Sequence, residues 1–262
     1  MAGPITFDDG ARYDRGIGAW SVVAGDSFLD WLAAPPGLRW VDIGCGSGAF
    51  TALLARRQQP AALHGIDPSP SQLDFARTRA DLADAVLQPG DAMALPYPDG
   101  MFDAAAMALV LFFVPDPAAG LAEMVRVTRP GGLVCAYLWD LLDGGFPSAP
   151  VQQALQKATG IPPAYPPHAE VSREPALDGL WRAAGLRAVA TRAITVTRQF
   201  PDFEAFWSGA TAAGSLRESV SALSPAQHTA LREAVRATLK PAPDGSLTHA
   251  ARATAVRGIK PG

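Results

Sequence analysis

The sequence predicts a doubly wound α/β fold, in which a mostly parallel sheet of seven strands carries helices on both faces. From residue 39 to 140, short apolar runs alternate with stretches whose apolar residues recur at helical spacing, a pattern typical of β-α-β units. A glycine-rich turn, VDIGCGSGAF at 41–50, directly follows the first of these runs. In such folds the first strand-to-helix turn often holds a ligand against its backbone.

Each element follows from its local pattern. An amphipathic helix, WSVVAGDSFLDWLAA, precedes the sheet and ends at Pro35 and Pro36. Strands are predicted at 39–44, 62–67, 84–88, 103–111, 133–140, 186–200 and 250–258. The helices SGAFTALLARR, SPSQLDFARTRAD and DPAAGLAEMVRVT lie between them, capped by Ser47, by Ser69 or Ser71, and by Asp116, and RPGG at 129–132 stops the last one.

Residues 141–175 interrupt this pattern. They contain seven prolines, which is too many for regular structure and suits a covering loop with a short helix. We therefore interpret 141–175 as a helical lid insertion. The chain is predicted to be a single domain over 1–262, with its core at 36–140 and 176–262 and two additional helices within about 201–240.

Composition narrows the function. The chain has 262 residues, of which 48% are hydrophobic, and a formal net charge of −3, so a sizeable core is expected and sequence-independent nucleic-acid binding is not. Its first residues are acidic and lack the apolar run of a signal peptide, which predicts a cytoplasmic protein. The most apolar stretch, AAAMALVLFFVP, is too short to cross a membrane. The two cysteines lack the spacing of metal ligands.

Four carboxylates, Asp42, Asp67, Asp91 and Asp140, follow predicted strands and should converge on the carboxyl edge of the sheet, where such folds bind ligands. A carboxylate after the second strand suits a ribose diol. Gly44, Gly46 and Ala49 fit a dinucleotide loop, whereas Gly44, Gly46 and Gly48 fit a loop for S-adenosylmethionine. No tyrosine is followed four residues later by lysine, and no Gly-Lys-Ser/Thr occurs, so short-chain dehydrogenase and triphosphate sites are disfavoured.

The segments VDIGCGSGAF, GIDPSPSQLDFAR, PGDAMALPYPDGMFDAAAMALVLFFVPDP and EMVRVTRPGGLVCAY resemble, in order and spacing, the signature blocks of class I S-adenosylmethionine-dependent methyltransferases. The nearest similarity is to the ubiquinone and menaquinone biosynthesis type. The tail resembles the added helices and the closing antiparallel strand of these enzymes. The resemblance implies a Rossmann-like fold, S-adenosylmethionine as cofactor, and methyl transfer to a small molecule.

The resemblance also implies residue roles. Around the cofactor's methionine and ribose it places Asp42, Gly44, Cys45, Gly46, Gly48 and Asp67, and around its adenine Pro68, Gln72, Asp91 and Ala92. Met107 and Leu109 would line the site, and Tyr13 would close over the cofactor. Many relatives carry a histidine where this chain has Phe112 and Phe113, so no base is assigned there.

An apolar acceptor pocket is predicted from aromatic residues near the rim: Phe112, Phe113, Trp139, Phe146, Tyr165, Phe203, Phe206 and Trp207. Only His168 and Asp140 are candidate bases, because His64 precedes a strand end and His228 and His249 fall in the peripheral tail. No set of residues with the character of a metal site is recognised in the sequence.

Three functions stay open: methylation of a small aromatic or hydrophobic molecule, methylation of a protein or peptide, and binding of S-adenosylmethionine or S-adenosylhomocysteine without turnover. A dinucleotide oxidoreductase is a distant fourth, and the oligomeric state is not predicted.

Overall fold

A computed structural model describes residues 18–212 and 214–262, with a seven-stranded sheet in the order β3-β2-β1-β4-β5-β7-β6. The strands are β1 (Arg39–Ile43), β2 (Ala62–Asp67), β3 (Val86–Pro89), β4 (Phe102–Ala108), β5 (Thr128–Trp139), β6 (Arg187–Phe200) and β7 (Leu247–Ile259). The first five strands pair in parallel, whereas β7 runs antiparallel to both β5 and β6. The predicted fold class, including its closing antiparallel strand, is confirmed.

The helices of the described residues are α1 (Ala19–Leu32), α2 (Ala49–Gln58), α3 (Pro70–Arg77), α4 (Pro117–Val127), α5 (Ala149–Thr159), α6 (Glu174–Ala183), α7 (Phe203–Ala210), α8 (Gly214–Ser221) and α9 (Pro225–Arg236). Tyr137 of β5 contacts Phe28 of α1. A side chain at Gly258, which pairs with Val134, would touch Trp181 of α6. Since Tyr137 and Val134 point to opposite faces of β5, α1 and α6 cover opposite faces of the sheet.

The core lies between these layers. Small residues, Ala104, Ala105 and Ala106, are fully buried in the central strand β4 and let the helices approach the sheet. Large side chains such as Trp40, Phe28 and Trp181 fill the space above and below it, each contributing roughly 1.5–3 kcal/mol through burial. No helix in the described ranges is long and apolar enough to cross a membrane.

Several predicted boundaries were wrong. Strand β4 stops at Ala108 because Leu109 adopts a left-handed backbone with φ 65°, which departs from the extended backbone of a regular strand. Strand β5 begins at Thr128, and residues 129–132 form an irregularity in its pairing with β4. Gly48, not Ser47, occupies the N-cap of α2, whereas Ser69 and Asp116 cap their helices as predicted. The region 201–239 holds three helices, not two.

Strands β6 and β7 extend beyond the carboxyl edge of the sheet. Trp139, the last residue of β5, pairs with Ala253, while β6 and β7 continue to pair as far as Phe200 and Leu247. Six further residues at about 3.3 Å each make an extension of roughly 20 Å. We call residues 195–200 and 247–252 the β6–β7 ribbon.

Candidate cofactor and acceptor site

The three glycines after β1 differ in what surrounds them. All three have left-handed backbones, with φ 75°, 51° and 78° at Gly44, Gly46 and Gly48, which favours glycine. A Cβ at Gly44 would lie 2.5 Å from Val110, and one at Gly48 would lie 2.7 Å from Leu82. At Gly46 the nearest atom to a Cβ is Gln72 Oε1 at 3.9 Å. Gly46 therefore faces open space, where a ligand can approach the backbone.

Asp42 lies at the end of β1 and is fully buried. Its Oδ2 accepts a hydrogen bond from Thr51 Oγ1 at 2.6 Å, while its buried Oδ1 has no hydrogen-bond partner. Burial raises the pKa of this carboxyl to about 7; the Thr51 hydroxyl opposes that rise and the nearby Asp67 adds to it. A buried carboxylate oxygen without a partner is costly, and a cationic or hydrogen-bond-donating ligand would satisfy it.

Asp67 ends β2 and holds the glycine loop in place. Its carboxylate accepts hydrogen bonds from the backbone N–H groups of Gly46 and Ser69, both at 2.9 Å. Burial raises its pKa, and these two hydrogen bonds oppose the rise. Each carboxylate oxygen keeps a further lone pair, so a ribose hydroxyl can still be accepted.

The remaining predicted cofactor residues occupy varied positions. Cys45 is buried in the loop, and burial raises the pKa of its thiol, which keeps it neutral. Gln72 is buried on α3 and Pro68 is exposed beside Asp67. Asp91 and Ala92 follow β3, where the exposed Asp91 accepts a hydrogen bond from the N–H of Met93 at 2.8 Å.

The two predicted residues after β4 differ. Met107 is fully buried and packs toward Gly120 of α4, so it stabilises the helix on the sheet and presents no surface at the rim. Leu109, with its left-handed backbone, donates its N–H to the carbonyl oxygen of Tyr137 at 2.8 Å. The predicted Tyr13 lies outside the described residues.

Asp140 reaches the rim but is paired. Its Oδ2 accepts from Arg252 Nε at 2.8 Å and also from Arg252 Nη2, and its Oδ1 accepts from the N–H of Asp143 at 3.0 Å. The carboxylate is buried, whereas the Arg252 side chain is 46% exposed. This arrangement fastens the start of the insert to β7 and engages both oxygens of the Asp140 carboxylate.

His168 has a comparable structural role. Its backbone N–H donates to the carbonyl oxygen of Phe112 at 3.2 Å, and its Nε2 lies 3.0 Å from the carbonyl oxygen of Pro115. Because a carbonyl only accepts, Nε2 carries the proton, and Nδ1 lies 3.3 Å from Glu170 Oε1. His168 therefore anchors the 141–175 insert to the loop between β4 and α4.

The predicted aromatic pocket is divided into separate groups. Phe112 and Phe113 stack on each other edge to face. Phe203 and Trp207 pack with α9, where Arg232 lies over both rings. Phe206 instead faces the β6–β7 ribbon through Phe200 and His249. Trp139 is buried with its Nε1 unpartnered, Phe146 is half-buried, and Tyr165 is 38% exposed on the insert.

Sequence reasoning missed a cluster on the α1 face of the ribbon. His249 packs edge to face on Trp20 and Phe206, with ring centroids 5.7 Å and 5.1 Å away. The guanidinium of Arg198 lies over the rings of Trp20 and Phe200. The two-residue alternation of THAARA in β7 was the available signal, because it places His249 on the same face as the buried Ala251 and Ala253. We define the Arg198 cluster as Trp20, Arg198, Phe200, Phe206 and His249.

The described ranges contain no group of three or more side chains arranged to hold a metal ion. The carboxylates Asp42 and Asp67 flank the glycine loop, while Asp140 is neutralised by Arg252. Negative charge on the loop side of the rim therefore comes from two buried carboxylates.

Comparisons with known proteins agree with this geometry. Residues 41–136 match the family model described as a methyltransferase domain. The chain is 42% identical over 133 residues to an uncharacterised 37.1 kDa protein of a Streptomyces fradiae transposon, covering 49% of this chain and 39% of that protein. It is 38% identical over 134 residues to a 2-phytyl-1,4-naphtoquinone methyltransferase of Synechococcus elongatus, covering 49% of this chain and 55% of that enzyme.

A putative methyltransferase of Bacillus halodurans has a similar fold, with a TM-score of 0.60, 14% identity, and 91% of this chain and 99% of that chain covered. The chain thus spans at most about half the length of the two relatives above, while the fold likeness extends over nearly all of it. The residues that match the family model include the glycine loop, the end of β2 and the whole of β4. Residues 41–136 are therefore similar to a methyltransferase domain, and the chain shares the fold of a solved methyltransferase.

Proposed function

We propose that this protein transfers a methyl group from S-adenosylmethionine to a small aromatic or hydrophobic molecule without a metal ion. One observation carries the proposal: the buried Asp42, with an unpartnered oxygen, and Asp67 flank Gly46, whose Cβ position is open. An anionic ligand would be repelled by Asp42, whereas a ligand with an ammonium group can donate a hydrogen bond to its Oδ1 and compensate its charge.

The residues fit this cofactor along its length. Asp42 and the loop at Gly46 would hold the methionine portion, and Asp67 would accept from the ribose hydroxyls. Asp91 is exposed after β3, and its carboxylate can accept a hydrogen bond from the amine of an adenine ring. Bound S-adenosylmethionine supplies an electrophilic methyl group on a sulfonium.

The protein's part in such a displacement is mainly positioning. In-line transfer needs the acceptor at near-attack distance and water excluded, so few catalytic side chains are required. Here the rim is bounded by the β6–β7 ribbon on one side and by the insert, anchored through His168, on the other. Asp140 and His168, the bases considered from the sequence, are both engaged in structural contacts.

A small apolar acceptor is favoured by the aromatic side chains at the rim and on the ribbon, and the Synechococcus relative is named for a naphthoquinone substrate. A protein or peptide acceptor would call for an open acidic cleft, and Asp140, the acid on that side, is neutralised by Arg252. Binding without turnover stays a distinct outcome of the experiment, since no histidine follows β4.

The first experiment measures S-adenosylhomocysteine binding by calorimetry. We expect binding to the wild type and none of NAD, with Asp67→Ala weakened by roughly 1.5–3 kcal/mol because hydrogen bonds to a charged group are lost. Asp74→Ala, which removes an exposed carboxylate from α3, is the control and should bind as the wild type does. Unchanged affinity in Asp67→Ala would overturn the assignment.

A second experiment tests turnover. Transfer of labelled methyl from S-adenosylmethionine to a panel of phenols, quinols and aromatic acids is measured with and without EDTA. We expect turnover that persists in EDTA. Tight cofactor binding with no transfer to any acceptor class, peptides included, would favour a binding protein, and activity restored by magnesium after chelation would reject metal independence.

A further inference from the structure

The Arg198 cluster contains a cation held by aromatic rings. The guanidinium carbon lies 5.4 Å from the centroid of Trp20 and 5.2 Å from that of Phe200. The two rings themselves are 6.2 Å apart at a 41° tilt. Such contacts stabilise the cation and hold it in place, while the guanidinium N–H groups, which lie in its plane, need acceptors elsewhere.

Arg198 differs from the other arginines in this respect. Within residues 18–212 and 214–262, it is the arginine that is both partly buried and without a hydrogen bond or ion pair. The other partly buried ones have partners: Arg126 pairs with Glu123, Arg232 with Glu204, Arg79 donates to the carbonyl oxygen of Ser47, and Arg257 to that of Leu32. Burial lowers the pKa of Arg198, yet a guanidinium stays charged at neutral pH.

A histidine lies directly across the ribbon. Arg198 pairs with His249 in the register between β6 and β7, so their side chains share one face. Nε2 of His249 lies 3.0 Å from the carbonyl oxygen of Pro147. The proton is therefore on Nε2 and the lone pair on Nδ1. The cluster thus combines a half-buried donor fork and a half-buried ring acceptor, supported by buried aromatic rings.

The cluster lies on the rim side of the sheet. Trp20 belongs to the first turn of α1, and the carbonyl oxygen of the next residue, Ser21, accepts from Tyr137 near the carboxyl end of β5. The other end of α1, at Leu32, is bound by Arg257 near the opposite edge. Arg198 and His249 lie on the part of the ribbon that extends past Trp139. The cluster therefore occupies the acceptor side of the site.

We propose that the Arg198 cluster is the acceptor subsite and that it takes an aromatic molecule bearing a carboxylate. The fork of Arg198 binds the two carboxylate oxygens, and the buried rings of Trp20 and Phe200 hold the guanidinium in place. The role of this subsite in methyl transfer rests on the proposed function. Binding of a carboxylate to Arg198, however, can be measured without turnover.

The test is an NMR titration of the protein saturated with S-adenosylhomocysteine, using benzoate and its neutral analogue benzamide. In the wild type we expect benzoate to bind at least tenfold more tightly than benzamide, with nuclear Overhauser effects between its ring protons and the Trp20 indole. In Arg198→Gln that preference should disappear, while S-adenosylhomocysteine affinity is unchanged. Arg198→Lys, which keeps the charge but not the fork, should retain a smaller preference.

Arg192→Gln is the matched control, because Arg192 is an exposed arginine on the same strand and face, and its variant should bind benzoate as the wild type does. Absent or equal binding of the two probes to the wild type, or an unchanged preference in Arg198→Gln, would overturn the subsite. Failure of the protein to bind S-adenosylhomocysteine would instead reject the proposed function, a separate result.

Discussion

Thr51 Oγ1 donates a hydrogen bond of 2.6 Å to Asp42 Oδ2, and both residues are fully buried. This bond joins the first helical turns of α2 to the end of β1. It satisfies one carboxylate oxygen and leaves the other, Oδ1, without a partner. Burial raises the pKa of Asp42 to about 7. Because this carboxyl titrates near neutrality, both the stability of the protein and its ligand binding should depend on pH there.

The first prediction concerns stability against pH. The pKa of Asp42 lies near 3.8 in the unfolded chain and near 7 in the folded one, so the folded state binds more protons between these values. The free energy of unfolding should therefore fall as pH rises from about 4 to 7, by at most about 1.4 kcal/mol per pH unit. In Asp42→Asn this contribution should vanish. Urea unfolding at pH 5 and pH 8 measures the difference.

Asp84→Asn, which removes an exposed carboxylate, is the control and should keep the wild-type pH dependence. A steep loss of stability with pH that persists in Asp42→Asn would assign the titration to another group. Because a nearby ammonium group favours the ionised carboxylate, binding of S-adenosylhomocysteine, whose amino-acid end carries one, should release protons at pH 6 in the wild type and fewer in the variant.

The second prediction separates two glycines of the loop. Gly44→Ala should destabilise the fold severely, because its Cβ would lie 2.5 Å from Val110, and adding Val110→Ala should recover part of the loss. Gly46→Ala meets no close atom, so it should cost only the ~1–2 kcal/mol of a left-handed alanine. Its S-adenosylhomocysteine affinity, however, should drop more than tenfold. Thermal unfolding and calorimetry measure both, and intact affinity in Gly46→Ala would mean that the ligand avoids this glycine.

How far the sequence predicts this molecule depends on the range of the interactions involved. Apolar periodicity and the glycine turn are local signals, and they predicted the sheet, its closing strand and the position of Asp67 at the end of β2. Ser47 was predicted as a cap because caps favour serine, but the left-handed backbone of Gly48 moved the start of α2 by one residue. Leu109 ended β4 early for a similar reason.

The acceptor side was harder to predict because it depends on pairing between distant strands. Arg198 and His249 are 51 residues apart in sequence and meet only through the register of β6 with β7. Asp140 and His168 were proposed as bases from their side-chain chemistry and their positions in the sequence. Neither property reveals that Arg252 forms an ion pair with Asp140, or that the carbonyl oxygen of Pro115 accepts from His168, because both partners are far away in sequence.

The third prediction concerns the Asp140–Arg252 ion pair. The carboxylate is buried and the guanidinium is half exposed, so solvent screens part of the interaction. Asp140→Asn and Arg252→Gln should each destabilise the protein by about 1–2 kcal/mol, and the double variant should be no worse than the sum. Turnover in Asp140→Asn should fall less than tenfold. A fall of a hundredfold at unchanged stability would identify Asp140 as a base.

The last prediction concerns His168, whose ring and backbone hold the insert against the loop after β4. Removing the ring deletes the hydrogen bond to Pro115 but leaves the backbone bond to Phe112, so His168→Ala should lose about 0.5–1.5 kcal/mol of stability. Amide exchange should accelerate at 165–172 and not in the sheet.

If His168 only anchors the insert, kcat falls less than a hundredfold and the pH profile keeps its shape. His228→Ala, which removes a half-buried ring that packs on Trp207 away from the insert, is the control for loss of a histidine and should leave exchange at 165–172 unchanged. A hundredfold loss of kcat in His168→Ala, with loss of an inflection from the pH profile and unchanged exchange, would reject the anchor and make His168 the general base.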